Sequence, residues 1–185
     1  MLRVLGIDPG LTRCGVGIVD VAPDRSATLV HVSVIRTSPD EPVEVRLLAV
    51  ARGIHTALDA FQPNALAVER MFAQHNLRTV IGTAQASGLA LAAAAERGLP
   101  VGLHTPSEVK AAITGYGNAQ KAQVGAMVAR VLGLARVPKP ADASDALALA
   151  ICHAWRGAPA AAVMATEDLT PAQRAWRRAE ASTRS

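Results

Sequence analysis

The sequence predicts an α/β domain: a mixed five-stranded sheet, three antiparallel strands followed by βα units, flanked by helices. Three observations carry this. The first third holds three apolar segments, "RVLGID", "CGVGIVDV" and "ATLVHVSVIRT". Their links, "PGLTR" and "APDRS", are too short for a crossover, so the strands pair antiparallel. The pattern then alternates between helical spacing and short apolar runs, and everything after that up to Trp155 is helical. At 185 residues, half of them hydrophobic, the chain can bury one core, and with 3% aromatics that core is built from Ala, Val, Leu and Ile.

The elements follow in order. "PVEVRLLAVARGIHTALDAF" has helical spacing, with Val45, Leu48, Leu58 and Phe61 among its apolar positions. "NALAVER" is short and apolar and predicts a central strand. Residues 76–97 predict a helix rich in small residues, with Gly82, Ala86, Ala90 and Ala93 at helical spacing. "LPVGLHT" predicts the fifth strand. "TPSE" is a capping box with Thr105 as N-cap, Pro106 at N1 and Glu108 at N3, opening a short helix through "VKAAI". "AQKAQVGAMVARVLG" and "DASDALALAICHAW" predict two more helices. Past Trp155 the chain turns Ala- and Pro-rich, and Thr170, Pro171 and Gln173 repeat the capping signal. The division expected is a domain over 1–156 and a tail, 157–185, with a short basic helix.

Composition narrows the function classes. A net charge of +4 and a pI of about 9.7 favour a polyanionic partner. The longest apolar tract, "IGTAQASGLALAAAA", falls short of the roughly 20 residues of a membrane span. Cys14 and Cys152 show neither metal-site nor disulfide spacing, and the N-terminus has no leader pattern. A cytoplasmic protein with reduced thiols is expected, with no membrane partner.

Four carboxylates stand at the ends of apolar elements. Asp8 ends the first strand and Glu69 the fourth, while Asp142 and Asp145 share a face at the start of the last helix. An unpaired ionised carboxylate in a core is costly. Adjacent strands ending at one sheet edge would gather these acids, as a pair of hard divalent cations requires. Each acid also has an ordinary reading. Asp8 could cap its turn, Glu69 could meet an arginine at the surface, and Asp142 and Asp145 could serve their helix N-terminus.

These residues in this order resemble the RuvC family of Holliday junction resolvases. The segments that match are "LGIDPGLTRCG", "AVERMF", "TPSEVKAAITG", "QKAQV" and "PADASDALALAICHAW", together covering roughly residues 2–156. The resemblance implies a ribonuclease H-like fold and a homodimer that nicks two opposing strands of a four-way DNA junction, in recombination and repair. It also implies cooperation with the RuvA–RuvB branch-migration complex. Carried over by position, Asp8, Glu69, Asp142 and Asp145 would bind two Mg²⁺, with Mn²⁺ able to substitute, and Lys121 would assist at the phosphate. Some relatives have His where this chain has Asp145, and an acid there is still an oxygen ligand.

Around the acids, Phe72 is expected to stack on a base, and Lys110, Lys121, Arg13, Arg70 and Arg78 to contact DNA. His75, Asn76 and His104 could lie near the site without an assigned role. The small-residue stripe of the second helix could pack on the sheet or contribute to a two-fold interface. Two rival functions differ in class. An actin-like or sugar-kinase-like ATPase needs two lobes that 185 residues hardly hold. A DNA-binding module without catalysis leaves the four acids unexplained, since carboxylates repel phosphate unless metal intervenes.

Overall fold

A computed structural model of the chain describes residues 1–70 and 77–156, with side chains through residue 70 and again from residue 80. The tail and its second capping signal therefore lie outside the described residues. The sheet has five strands: β1 (Leu2–Asp8), β2 (Arg13–Val21), β3 (Ala27–Arg36), β4 (Ala65–Glu69) and β5 (Val101–His104). Their spatial order is β3-β2-β1-β4-β5. As expected from the short links, β1, β2 and β3 pair antiparallel, while β1, β4 and β5 are parallel. The helices are α1 (Val43–Phe61), α2 (Leu77–Ala95), α3 (Pro106–Thr114), α4 (Lys121–Val131) and α5 (Ala141–Arg156).

Two-residue alternation sorts the strand side chains onto two faces. Leu5, Ile7, Val16, Ile18, Leu66 and Val68 pack with α1 and α2. Val4, Val19, Val21 and Ala67 pack with α3, α4 and α5. From residue 143 to 153, α5 is buried at every position except Asp145. It is buried because its backbone rests on strand backbone. A Cβ at Gly6 would meet the Ala146 carbonyl, one at Gly15 the Asp142 carbonyl, and one at Gly17 the Leu147 nitrogen. Glycine at these points permits a helix-to-sheet approach that any side chain would block.

The capping box at α3 is formed as expected. The Glu108 N–H donates to Thr105 Oγ1 at 3.2 Å, and the Thr105 N–H to Glu108 Oε2 at 2.8 Å.

Packing decides two points that periodicity leaves open. In α1 the buried positions are Val50, Ile54, Ala57 and Leu58, whereas Val45 and Leu48 are 45% and 49% exposed. The first turns of α1 carry apolar residues on all sides, so periodicity alone does not fix their rotation. In α2 the stripe of Gly82, Ala86, Ala90 and Ala93 is buried against the sheet of the same subunit. That stripe is consumed by intramolecular packing and is not free for a two-fold contact.

Candidate active site

Strand alternation explains why acids end two buried strands. Asp8 follows Val4 and Gly6 onto the α5 face, and Glu69 follows Ala67. The parallel register sets Ile7 beside Val68, so Asp8 and Glu69 are neighbours at the same edge. Asp8 also pairs with Gly15, the glycine against which the Asp142 backbone lies. Close glycine packing thus delivers the first turn of α5, with Asp142, onto Asp8, and Asp145 follows on the next turn.

The electrostatics are those of crowded negative charge. Burial, and then the charges of Glu69 and Asp145, push the Asp8 carboxyl up to about 8 against the counter-pull of Lys121, with Asp142 adding to the rise. Glu69 is raised by burial and then by Asp145, with Lys121 and Lys110 opposing. Cations hold the two acids of α5. Lys121 Nζ, at the first position of α4, donates to Asp145 Oδ2 at 2.9 Å. That bond raises the lysine, which stays charged. Arg13 Nε lies 3.1 Å from Asp142 Oδ2. Next to Asp8, burial pushes the Cys14 thiol up to about 12, which leaves it protonated and inert.

Two clefts open on either side of the α5 N-terminus. One, of about 210 Å³, is lined by Glu69, Lys110, Lys121, Asp145, Val109 and Val124 among others. The second, of about 350 Å³, is lined by Gly10, Thr12, Arg13, Arg46, Thr83 and Asp142 among others. Among the described residues, no three acidic, His or Cys side chains are already gathered round one point as a metal cage. The donor set nonetheless fits a hard divalent cation: four carboxylates, two of them raised by burial and by one another's charge, two held by side-chain cations that a metal would replace.

Of the residues expected at the site, the structure brings Asp8, Glu69, Asp142, Asp145 and Lys121 together, with Lys110 in the same cleft and Arg13 on Asp142. Arg70 is exposed just past β4, its N–H donating to the His104 carbonyl at 2.7 Å. Phe72, His75 and Asn76 lie outside the described residues, as does the side chain of Arg78. His104 is turned into the core, where its Nε2 meets His153 Nδ1 at 3.0 Å. Burial lowers both rings, His153 to about 4, so the pair is neutral and structural. Sequence reasoning does not single out Arg46, a lone arginine in an apolar helix start. The only sign was its charge among Val43, Val45, Leu47 and Leu48.

Comparison with known proteins agrees with this geometry. The family model described as crossover junction endodeoxyribonuclease RuvC matches residues 4–153. A crossover junction endodeoxyribonuclease RuvC from Leifsonia xyli is 67% identical, over 98% of this chain and 93% of its own. One from Pseudarthrobacter chlorophenolicus is 58% identical, over 99% and 97%. Among solved structures, Thermus thermophilus RuvC in complex with a Holliday junction substrate superposes with a TM-score of 0.80 at 39% identity, covering 84% of this chain and 94% of that one. The yeast mitochondrial Holliday junction resolvase, at 14% identity and a TM-score of 0.57, shares the fold. With a family model over most of its length and relatives this similar, the chain belongs to the RuvC family of crossover junction endodeoxyribonucleases, hydrolases that cut DNA.

Proposed function

We propose that this enzyme resolves four-way DNA junctions by paired symmetric nicks, with Asp8, Glu69, Asp142 and Asp145 holding two Mg²⁺ ions in each site. The observation that carries the reading is Asp8, an acid buried among three others at the meeting of β1, β4 and α5. Such crowding stabilises nothing by itself and is relieved by a divalent cation. Divalent-metal dependence is general in the family. When bound, the metals supply Lewis acidity for activating water and stabilising the leaving oxygen.

The chain's own residues do the rest. Asp8 and Glu69, fixed on the sheet edge, hold the metal position rigid. Lys121, which here donates to Asp145, would present its charge to the scissile phosphate once that carboxylate served a metal. Lys110, in the same cleft, contacts a backbone phosphate, as do Arg13, Arg70 and Arg78. Phe72 stacks on a base opened at the crossover. The domain over 1–156 carries the chemistry. The junction in complex with the Thermus thermophilus relative supports this choice of substrate.

A two-fold substrate calls for a two-fold enzyme, and a homodimer is part of the proposal. Its support is the apolar surface left on α1 and α2: Val45, Leu48 and Ile81 are each 45% exposed or more. The RuvA–RuvB complex is the proposed motor partner and the cytoplasm the compartment; no helix among the described residues is long and apolar enough to cross a membrane.

The test is cleavage of a synthetic mobile four-way junction, with Mg²⁺ or with EDTA, by wild type and by Asp8→Asn. Symmetric nicks that require Mg²⁺ and disappear in the variant, with junction binding retained, support the reading. A variant that cuts as well as wild type would overturn the metal assignment, and wild type that binds junctions without cutting would favour a binding module.

A further inference from the structure

The cleft on the Asp142 side contains a charge that metal binding does not use. Arg46, in the first turn of α1, donates from Nε to Thr37 Oγ1 at 3.0 Å and from Nη2 to Thr12 Oγ1 at 2.8 Å. The Thr37 hydroxyl gives its own proton to the Leu11 carbonyl at 2.6 Å, which leaves its oxygen to accept from the arginine. Both acceptors are neutral, so they fix the guanidinium without cancelling its charge. They also use only two of its five N–H donors. The turn from β1 to β2 is thereby strapped to α1, with a cation presented at the strap.

The surroundings suit an anion. Beside Arg46 stand Arg13, Thr12, Thr83 and Gly10, with Asp142 as the one carboxylate of the lining among the described residues. Asp142 is itself paired to Arg13. A planar guanidinium held in one orientation is preorganised for the two oxygens of a phosphodiester. The placement also suits a strand. Asp142 and Asp145 lie on neighbouring turns at the start of α5 and line different clefts. A strand with one phosphate at Asp145 and Lys121 reaches the second cleft by passing this helix start.

We propose that this cleft is a second phosphate site, in which Arg46, fixed by Thr12 and Thr37, grips a DNA backbone phosphate flanking the one that is hydrolysed. The proposal rests on the nuclease reading above and extends it to a residue that reading does not include. Arg46 is a positioning residue: it holds the strand in register for the acids and does not touch the reacting atoms.

The experiment is binding of a labelled four-way junction by the full chain in EDTA, where nothing is cut, across about 50 to 200 mM salt. Arg46→Gln should bind about tenfold more weakly, with a salt slope shallower by about 0.9, the share of one phosphate contact. Arg46→Lys should keep the slope. Because Arg46 also straps the turn, Thr83→Glu is the companion variant: it puts a carboxylate into the cleft without touching Thr12 or Thr37, and it should weaken binding comparably. Wild-type affinity and slope in Thr83→Glu would overturn the proposal, even if Arg46→Gln failed to fold. So would a loss of affinity in Arg46→Gln with the slope unchanged, which would make Arg46 a prop for the turn alone. Wild type that binds no junction at any salt, in EDTA or with Ca²⁺ supplied, would instead overturn the nuclease reading.

Discussion

The two faces of the sheet are built to different tolerances. On one, α5 lies with its backbone against Gly6, Gly15 and Gly17, buried from residue 143 to 153 except at Asp145. On the other, α1 and α2 meet the sheet through side chains such as Val50, Ile54, Ala86 and Ala90, and leave Val45, Leu48 and Ile81 facing outward. The face that carries the acids permits almost no sliding, because backbone atoms do not repack. The face without them is an ordinary side-chain interface with apolar surface to spare. Tight tolerance is confined to the helix whose misplacement would separate Asp142 and Asp145 from Asp8.

That contrast can be broken in four ways. The largest effect belongs to the charge on the acid face. Lys121→Met should lower junction cleavage in Mg²⁺ by about 10²–10³-fold, as for other groups that stabilise developing charge, with junction affinity changed far less. A steady-state comparison of kcat with KM reads this directly.

Next comes the cost of crowding. Asp8 holds its proton up to about 8 when folded and only to its usual 3.8 when unfolded. The native chain therefore binds more protons between those values, and stability falls as pH rises through that window. In EDTA, wild type should lose a few kcal/mol of unfolding free energy between roughly pH 4 and 8 relative to Asp8→Asn, within a ceiling of about 6 kcal/mol set by the gap between 3.8 and about 8. Mg²⁺ at the upper pH should stabilise wild type and leave the variant nearly unmoved. Equal pH profiles for the two proteins would show that Asp8 is not strained by its neighbours.

A smaller effect tests the glycine contact itself. Gly17→Ala forces a methyl against the Leu147 nitrogen, and it should cost about 1–3 kcal/mol in urea unfolding. On the opposite face Leu48→Ser should change subunit stability by less than about 0.5 kcal/mol. Its effect should appear instead in sedimentation, as a shift of the proposed homodimer toward monomer.

Much of this was legible in the sequence, and the limits are physical. The strands and helices declared themselves through periodicity, short links and the capping box at Thr105. The four acids were visible because an ionisable group at the end of an apolar run conflicts with its setting. What stayed hidden depended on rotation and distance. Val45 and Leu48 match helical spacing as well as Val50 and Ile54 do, and only packing decides which pair turns inward. The stripe of Gly82, Ala86, Ala90 and Ala93 promised close approach without saying to what. Gly6, Gly15 and Gly17 read as weak strand residues until α5 is laid across them. Arg46 stood out only by its charge, since the partners that fix it, Thr12 and Thr37, lie 34 and nine residues away.

The placement of α5 also bears on how the enzyme comes into being. Asp8 and Glu69 leave the ribosome early, whereas Lys121, Asp142 and Asp145 are among the later residues, and domains are synthesised N-terminus first. A nascent chain that has not yet reached residue 141 carries two of the four acids and an uncovered row of glycines. It has nothing with which to complete a cutting site. On the proposed assignment of the acids, the site is therefore complete only once α5 docks on the sheet, and a chain that stops before residue 141 lacks Asp142 and Asp145.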